Sequence, residues 1–249
     1  MGQPLVWYAA YGSNMHAARL RCYLAGGALP GTGRVYPGAR DGSDPVRSAA
    51  VVLPGAVYFA TESPVWRGGR GFYDPGAPGV AYGRAHLLRA GQFCDVVAQE
   101  MGREPGTAPG TDLDLGEVVT RGQVALGPGR YETLVCAGAL DGVPVLTFTA
   151  PWRMADVPLR APSGPYVGHL AAGLYEAGAW EPPEIAGYLA GLPGAAGVWA
   201  AEEVLELFEA AGPGSPRRVG PRLQPRNLAS NPSRTALSPN ANDSSAPSA

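Results

Sequence analysis

The chain folds around the stretch Tyr8-Ala9-Ala10-Tyr11-Gly12-Ser13-Asn14-Met15, which joins two predicted elements. The apolar run over 5–10 predicts a buried strand, and the helical spacing of apolar residues over 15–24 predicts a helix. Gly12 allows a sharp turn between them, and Ser13 or Asn14 can cap the new helix. Because the first N–H groups of a helix lack internal acceptors, the turn is either an ordinary capped turn or a binding site for a carboxylate or phosphate.

Short strand-like segments, separated by turns rich in Gly and Pro, follow this turn. Predicted strands cover 51–53, 56–60, 80–88, 131–139 and 143–149, and predicted helices cover 92–101, 166–175, 183–189 and 200–210. A Pro-Gly turn predicts a hairpin over 51–60, and Asp141-Gly142 predicts a second hairpin over 131–149. Short strands with helices mostly outside the strand runs are typical of an α+β domain. We therefore expect a small mixed β-barrel or a strongly curved sheet, flanked by helices.

The composition of the chain changes near residue 213. Residues 213–249 contain seven Pro, seven Ser, five Arg, one acidic residue and no aromatic residue. Such a segment buries too little apolar surface to offset the entropy lost when its backbone is ordered. The sequence therefore predicts one domain over 1–212 and a disordered tail over 213–249. A solvated tail is favoured over one that binds nucleic acid, because its arginines are few and spread out.

The composition also excludes several classes of function. All 19 basic residues are Arg, which excludes a Schiff-base lysine and a Walker-type phosphate loop. The three Cys and three His are scattered, so we expect neither a disulfide framework nor a metal site. No apolar stretch approaches the roughly 20 residues of a membrane span, and the N-terminus lacks the pattern of a signal peptide. The expectation is a cytoplasmic protein that binds neither membrane nor nucleic acid.

Five motifs occur along residues 5–190. They are Tyr11-Gly12-Ser13-Asn14, Trp66-Arg67-Gly68-Gly69, Val80-Ala81-Tyr82-Gly83, Ala98-Gln99-Glu100, and Pro162-Ser163 with Tyr166. In this order and spacing the chain resembles the gamma-glutamylcyclotransferase-like family. The resemblance implies a mixed β-barrel with flanking helices and an enzyme that releases 5-oxoproline from a γ-glutamyl amide without metal or cofactor. The implied partner is a small-molecule γ-glutamyl substrate.

The resemblance also implies roles for individual residues. Glu100 would be the general base and acid of the reaction; the alternative is a solvated residue on a helix surface. Tyr131 would contact the substrate or Glu100, or would simply line the barrel wall. The substrate α-carboxylate would bind to the loop formed by Tyr11, Gly12, Ser13, Asn14 and Met15.

The sequence leaves two alternative functions open. An amide hydrolase or deacylase, such as a deacetylase, needs a set of zinc ligands or an activated Ser or Cys. A non-catalytic protein that binds a small molecule could keep the same loop and fold. Residues 101–128 form a longer segment than the family pattern expects after Glu100, and this insertion could influence substrate choice. The natural substrate and the oligomeric state do not follow from the sequence.

Overall fold

The computed structural model of the chain describes residues 4–28, 35–106, 113–210 and 224–229. Its helices are α1 (Ala17–Ala25), α2 (Ala90–Glu100), α3 (Leu115–Arg121), α4 (Gly164–Ala177), α5 (Pro182–Gly191) and α6 (Ala201–Ala210). Its strands are β1 (Leu5–Ala10), β2 (Gly27–Ala28), β3 (Val35–Tyr36), β4 (Arg47–Pro54), β5 (Ala56–Glu62), β6 (Gly69–Asp74), β7 (Val80–Arg89), β8 (Gln123–Ala125), β9 (Thr133–Leu140), β10 (Val143–Thr149) and β11 (Arg226–Asn227). The predicted α+β class is confirmed.

A seven-stranded mixed sheet has β1 at its centre. The strand order is β11-β4-β7-β1-β10-β9-β8, with β1 parallel to β10 and antiparallel to β7. Of the predicted small mixed β-barrel, the mixed sheet is present, but the described residues do not form a closed barrel, because no ladder joins β4 directly to β9. Instead, residues 226–229 lie between these strands and pair with β4 through β11. Ala229 then forms a single bridge with Ala139 of β9.

One of the two predicted hairpins is confirmed and the other is wrong. β9 and β10 pair antiparallel across Asp141-Gly142, and both turn residues have the positive φ angles that a type I′ turn requires. β4 and β5 follow each other across Gly55 but belong to different sheets, because β4 pairs with β7 and β5 pairs with β6. The N–H of Gly55 donates to Gly79 O at 3.1 Å, which ties this corner to the turn before β7.

The five predicted helices are confirmed as α1, α2, α4, α5 and α6, with small shifts of their ends. α2 packs against α1, β1 and β7, and α4 packs against a single turn of 3-10 helix at Ser13–Met15. The pattern does not predict β6, α3 or β8, since β6 contains two glycines and the other two elements are short. Among the helices of the described ranges, none is long and apolar enough to span a membrane.

A short piece of the predicted tail pairs with the sheet. Arg226–Asn227 form β11 parallel to β4, and Ala229 exchanges two backbone hydrogen bonds with Ala139. Arg226 also forms an ion pair with Asp141 in the turn between β9 and β10. The rest of the predicted tail lies outside the described residues.

Candidate active site

The loop between β1 and α1 presents backbone N–H groups that are open to a ligand. Within its turn of 3-10 helix, Met15 N donates to Gly12 O at 3.0 Å, and His16 N donates to Ser13 O at 3.3 Å. The N–H groups of Gly12, Ser13 and Asn14 have no acceptor among the residues that the structure describes. These three groups can therefore bind a carboxylate or another anion.

The predicted cap of α1 by Ser13 or Asn14 is wrong. His16 occupies the N-cap position of α1 and makes no side-chain cap. The N–H of Ala17 donates instead to Oε2 of Glu176 on α4 at 3.0 Å, and a carboxylate is well placed at the positive end of a helix dipole. Because α4 supplies the cap, the side chains of the loop are free for other contacts.

The side chain of Asn14 is the centre of a buried hydrogen-bond network. Its Nδ2 donates to Tyr8 Oη at 3.1 Å and to Glu100 Oε1 at 3.0 Å. Its Oδ1 accepts from Nε of Arg19 at 3.2 Å. Asn14 is only 4% exposed, and its amide makes all three contacts inside the protein. The network fixes the orientation of the Glu100 carboxylate.

Glu100 is the last residue of α2 and is half-buried. The preceding residue, Gln99, is buried, and its Nε2 donates to Tyr23 O of α1 at 2.8 Å. This bond ties the end of α2 to α1 and so places Glu100 beside the loop. Burial, and next the negative charge of Glu100, raise the pKa of Tyr23 far above its ordinary value. The glutamine and glutamate of the motif thus have separate roles, one anchoring the helix and the other facing the cavity.

A cavity of about 650 Å³ lies between the loop and the end of α2. Met15 is the one predicted site residue outside the lining: it is 1% exposed and its N–H is already bonded to Gly12 O. Both ends of the predicted insertion over 101–128 also reach the cavity, through Met101 and Pro128. The other predicted site residues line the cavity together: Tyr11, Gly12, Ser13, Asn14, Glu100 and Tyr131.

Tyrosines form much of the cavity wall. The hydroxyl of Tyr11 donates to Phe148 O at 2.8 Å, and that of Tyr131 donates to Gly71 O at 3.3 Å. Burial raises the pKa of both hydroxyls well above the ordinary tyrosine value, so both stay protonated. The hydroxyl of Tyr131 is therefore directed to the backbone of β6 rather than to the carboxylate of Glu100.

Trp66 forms a further part of the cavity wall and links the motif over 66–69 to the motif over 162–166. Its ring stacks on Tyr166 with centroids 5.1 Å apart, and Ser163 Oγ donates to Trp66 O at 2.6 Å. These contacts bring the two motif segments together in space. Gly69 is required here because a Cβ at that position would overlap the carbonyl oxygen of Arg160, whose segment passes against it.

Three arginines that belong to none of the predicted site residues line the cavity: Arg19, Arg70 and Arg130. Arg19 is 6% exposed, and its guanidinium carbon lies 5.7 Å from the ring centroid of Tyr23. Burial acts to lower the pKa of Arg19, but Tyr23 and Glu100 outweigh it and raise the pKa overall, so the group stays charged. In the sequence, Arg19 could be identified because it lies at a position of α1 that the helical pattern places on the buried face.

The histidines of the described residues do not form a metal centre. No group of three or more His, Cys, Asp or Glu in the described ranges could hold a metal ion. Burial lowers the pKa of His86 to about 3 and that of His169 to about 4, so both are neutral near pH 7. The Nε2 of His169 donates to Ser13 O at 3.0 Å, which gives His169 a supporting role behind the loop.

No family model matches the chain. Among curated proteins, the chain is 32% identical over 198 residues to a protein named histone deacetylase 5 from Arabidopsis thaliana. The match covers 74% of this chain and 30% of that protein. The chain thus spans less than a third of the length of this relative, whose name describes the whole, longer protein.

Solved structures similar to the chain include one described as gamma-glutamyl cyclotransferase, with a TM-score of 0.41 and 13% identity over 83% of this chain and 99% of the other. An uncharacterized human protein has the same TM-score of 0.41, with 16% identity and the same coverage of 83% and 99%. YkqA from Bacillus subtilis follows with a TM-score of 0.39 and 17% identity over 76% of this chain and 55% of the other. At these scores, the assignment of function rests on the residues of the cavity.

Proposed function

We propose that the chain is a gamma-glutamylcyclotransferase-like enzyme, which releases 5-oxoproline from a γ-glutamyl amide. The observation that carries the proposal is the hydrogen bond from Asn14 Nδ2 to Glu100 Oε1, 3.0 Å long, at the wall of the cavity. This bond joins the open N–H groups of the loop to a half-buried carboxylate from a distant part of the chain. A site for an anion and an acceptor for a proton are therefore held side by side.

The covalent structure of a γ-glutamyl amide matches the arrangement of the loop N–H groups and the Glu100 carboxylate. A γ-glutamyl group carries its carboxylate and its amine on the same carbon atom. When the carboxylate binds to the N–H groups of residues 12–14, the amine comes within reach of Glu100, because Asn14 belongs to the loop and also holds Glu100. Ring closure is intramolecular, so positioning supplies much of the rate, with effective molarities up to about 10⁵–10⁸ M for well-oriented groups.

Glu100 serves as both base and acid in this mechanism. The neutral α-amine attacks the γ-carbonyl carbon, and Glu100 takes a proton from that nitrogen as the new C–N bond forms. Glu100 then returns the proton to the nitrogen of the leaving amine as the original amide bond breaks. The products are 5-oxoproline and a free amine, the carboxylate is restored, and no water is consumed.

The experiment is to incubate the purified protein with a panel of γ-glutamyl amides in EDTA and to follow 5-oxoproline by mass spectrometry. We expect product with the native sequence and none above background with Glu100→Gln, which keeps the shape of the side chain and removes its basicity. Glu117→Gln is the matched control, because Glu117 lies on the exposed face of α3, in an ion pair with Arg121. That variant should keep the native rate.

Two other outcomes would replace the proposal. Free glutamate in place of 5-oxoproline would make the protein an amide hydrolase, since water rather than the substrate amine would be the nucleophile. Binding of the γ-glutamyl amides without any product, measured by calorimetry, would make it a non-catalytic binding protein. Retention of 5-oxoproline release in Glu100→Gln would remove Glu100 from the mechanism.

A further inference from the structure

Two side chains that do not line the cavity donate to carbonyl groups of the loop between β1 and α1. Nη1 of Arg84, on β7, donates to Met15 O at 3.1 Å. Nε2 of His169, on α4, lies 3.0 Å from Ser13 O. A carbonyl oxygen only accepts, so Nε2 carries the proton and donates it to this bond. The loop is thus held at two carbonyl groups from outside the cavity.

The two bonds reach different peptide groups of the loop. The peptide group that follows Ser13 contains the N–H of Asn14, which is one of the three without an acceptor among the described residues. A donor at the carbonyl oxygen draws electron density from the peptide group and makes its N–H a stronger hydrogen-bond donor. The peptide group that follows Met15 contains the N–H of His16, which already donates to Ser13 O at 3.3 Å. Of the two bonds, the one from His169 therefore polarises an N–H of the anion site.

Contacts between aromatic rings fix the position of His169. Its imidazole stacks on that of His16, with ring centroids 5.0 Å apart and an interplanar angle of 14°. It also lies 5.0 Å from the ring of Trp66, which in turn stacks on Tyr166 at the wall of the cavity. Burial lowers the pKa of His169 to about 4, and a neutral imidazole has a single N–H, which is used at Ser13 O. The rings therefore hold one N–H donor behind the loop.

We propose that His169 is a positioning residue of the anion site, which strengthens the N–H of Asn14 as a donor through the peptide group after Ser13. For its effect on catalysis this inference rests on the proposed function, in which the bound anion is the α-carboxylate of the substrate. The imidazole lies outside the cavity lining, so it acts through the backbone and not on the reacting atoms. His169 determines how tightly the loop binds the carboxylate, whereas Glu100 transfers the proton.

Two substitutions of His169 separate hydrogen bonding from packing. His169→Phe keeps a ring for the stack and loses the donor, whereas His169→Gln loses the ring and keeps an N–H donor of similar reach. With γ-glutamyl-alanine as substrate, we expect KM of His169→Phe to rise by about threefold to tenfold, the effect of losing one neutral hydrogen bond. Its kcat should stay within about twofold, because the carboxylate is bound equally in the ground state and the transition state. His169→Gln should keep both values close to native, and a role in packing alone would give the opposite order.

Nuclear magnetic resonance of the ligand-free protein gives a readout that does not need the reaction. Hydrogen bonding moves the resonance of a carbonyl carbon downfield. In His169→Phe, the Ser13 carbonyl carbon and the Asn14 amide proton should therefore both move upfield, and in His169→Gln both should stay near their native positions. This pattern would support the proposal even if no γ-glutamyl amide gives 5-oxoproline, since only the proposed reaction would then have failed.

Three results would overturn the role of His169. The first is that the two resonances do not move in His169→Phe, and the second is that they move equally in both variants. The third is a native KM in an active His169→Phe, because the polarised N–H would then contribute nothing to binding of the carboxylate. Each of these results leaves 5-oxoproline release by the native protein, and the role of Glu100 in it, intact.

Discussion

Asn14 and Glu100 lie 86 residues apart in the sequence and are joined by a hydrogen bond of 3.0 Å from Nδ2 to Oε1. Asn14 also donates to Tyr8 Oη and accepts from Arg19 Nε, so its amide group cannot rotate without breaking buried contacts. A tight turn after β1 therefore determines where the last side chain of α2 points. The geometry of the candidate base depends on the loop that is proposed to bind the substrate.

Replacing Asn14 tests this dependence. We expect Asn14→Ala to lower kcat for 5-oxoproline release by about tenfold to a hundredfold, since misplacing a catalytic group by about 1 Å costs on that order. KM should change less, because the anion site is made of backbone N–H groups. Tyr8→Phe is the comparison variant: it removes one of the three partners of the Asn14 amide but leaves the bond to Glu100, so we expect a smaller loss of kcat. An equal loss of kcat in Tyr8→Phe would contradict the role given to the bond with Glu100.

Arg19 should act through Asn14 and not through direct contact with the reacting atoms. Arg19→Lys keeps a positive charge in α1 but cannot present Nε to Asn14 Oδ1 in the same geometry, so the amide loses one of its three fixed partners. We expect kcat to fall while KM stays within about twofold, and the free energy of unfolding to fall by about 1 kcal/mol. Kinetics and chemical denaturation measure the two effects. A rise in KM with unchanged kcat would instead assign Arg19 to substrate binding.

The sequence predicts the elements that local chemistry determines. The turn at Asp141-Gly142 gives a hairpin because both residues tolerate positive φ, and the run over 5–10 gives a strand because it is uniformly apolar. The Pro-Gly turn at residue 55 has an equally clear local signal, yet it does not make a hairpin. There, β4 pairs with β7 and β5 pairs with β6, so the pairing with other strands outweighs the local turn signal.

In the candidate site, too, some residues can be predicted from local sequence and others cannot. Motif residues such as Gly12 and Glu100 are identified by their neighbours in the sequence, and the structure brings them to one cavity. Arg70 lies in a strand that contains two glycines, and its direction depends on the pairing of β6 with β5, which no local pattern fixes. Met15 shows the opposite case, because its motif position suggests a ligand while the packing of α4 buries it.

The stability of the protein should fall as the pH is lowered below about 6.5, and His86 is one cause. Burial, and next the charge of Arg84, lower the pKa of His86 to about 3 in the folded protein, while an unfolded histidine has a pKa near 6.5. Between these values the unfolded chain binds a proton that the folded protein does not. As the pH falls from about 6.5 toward 3, the free energy of unfolding therefore decreases by up to about 1.4 kcal/mol per pH unit from this group alone. Above about pH 6.5, His86 is neutral in both states and causes no such decrease.

Denaturation by urea at several pH values measures this slope. We expect His86→Gln to reduce the slope between pH 6 and 4 by about 1 kcal/mol per pH unit, whatever its effect at pH 7. Ser48→Ala is the control, because it removes the hydroxyl 2.8 Å from Nδ1 of His86 and leaves the burial of the ring. The explanation fails if His86→Gln keeps the native slope, or if Ser48→Ala loses it.

The position of the loop should depend on one close contact with α4. A Cβ added at Gly173 would lie 2.9 Å from Met15 Cβ and 3.2 Å from His16 N, so the turn over residues 13–15 would have to move. Alanine favours a helix, but Met15 and His16 already occupy the space that its Cβ would need. We therefore expect Gly173→Ala to lower the free energy of unfolding by about 1–3 kcal/mol. KM should rise as the N–H groups of Gly12, Ser13 and Asn14 shift.

The same helix supplies the matched control for Gly173. A Cβ at Gly168 would meet Leu207 at 3.8 Å, which is an ordinary van der Waals contact. Gly168→Ala should therefore be neutral or should stabilise the protein by up to about 1 kcal/mol, as expected when alanine replaces glycine inside a helix. Its KM should stay native. Native stability together with native KM in Gly173→Ala would mean that α4 does not hold the loop, and the burial of Met15 would then need another explanation.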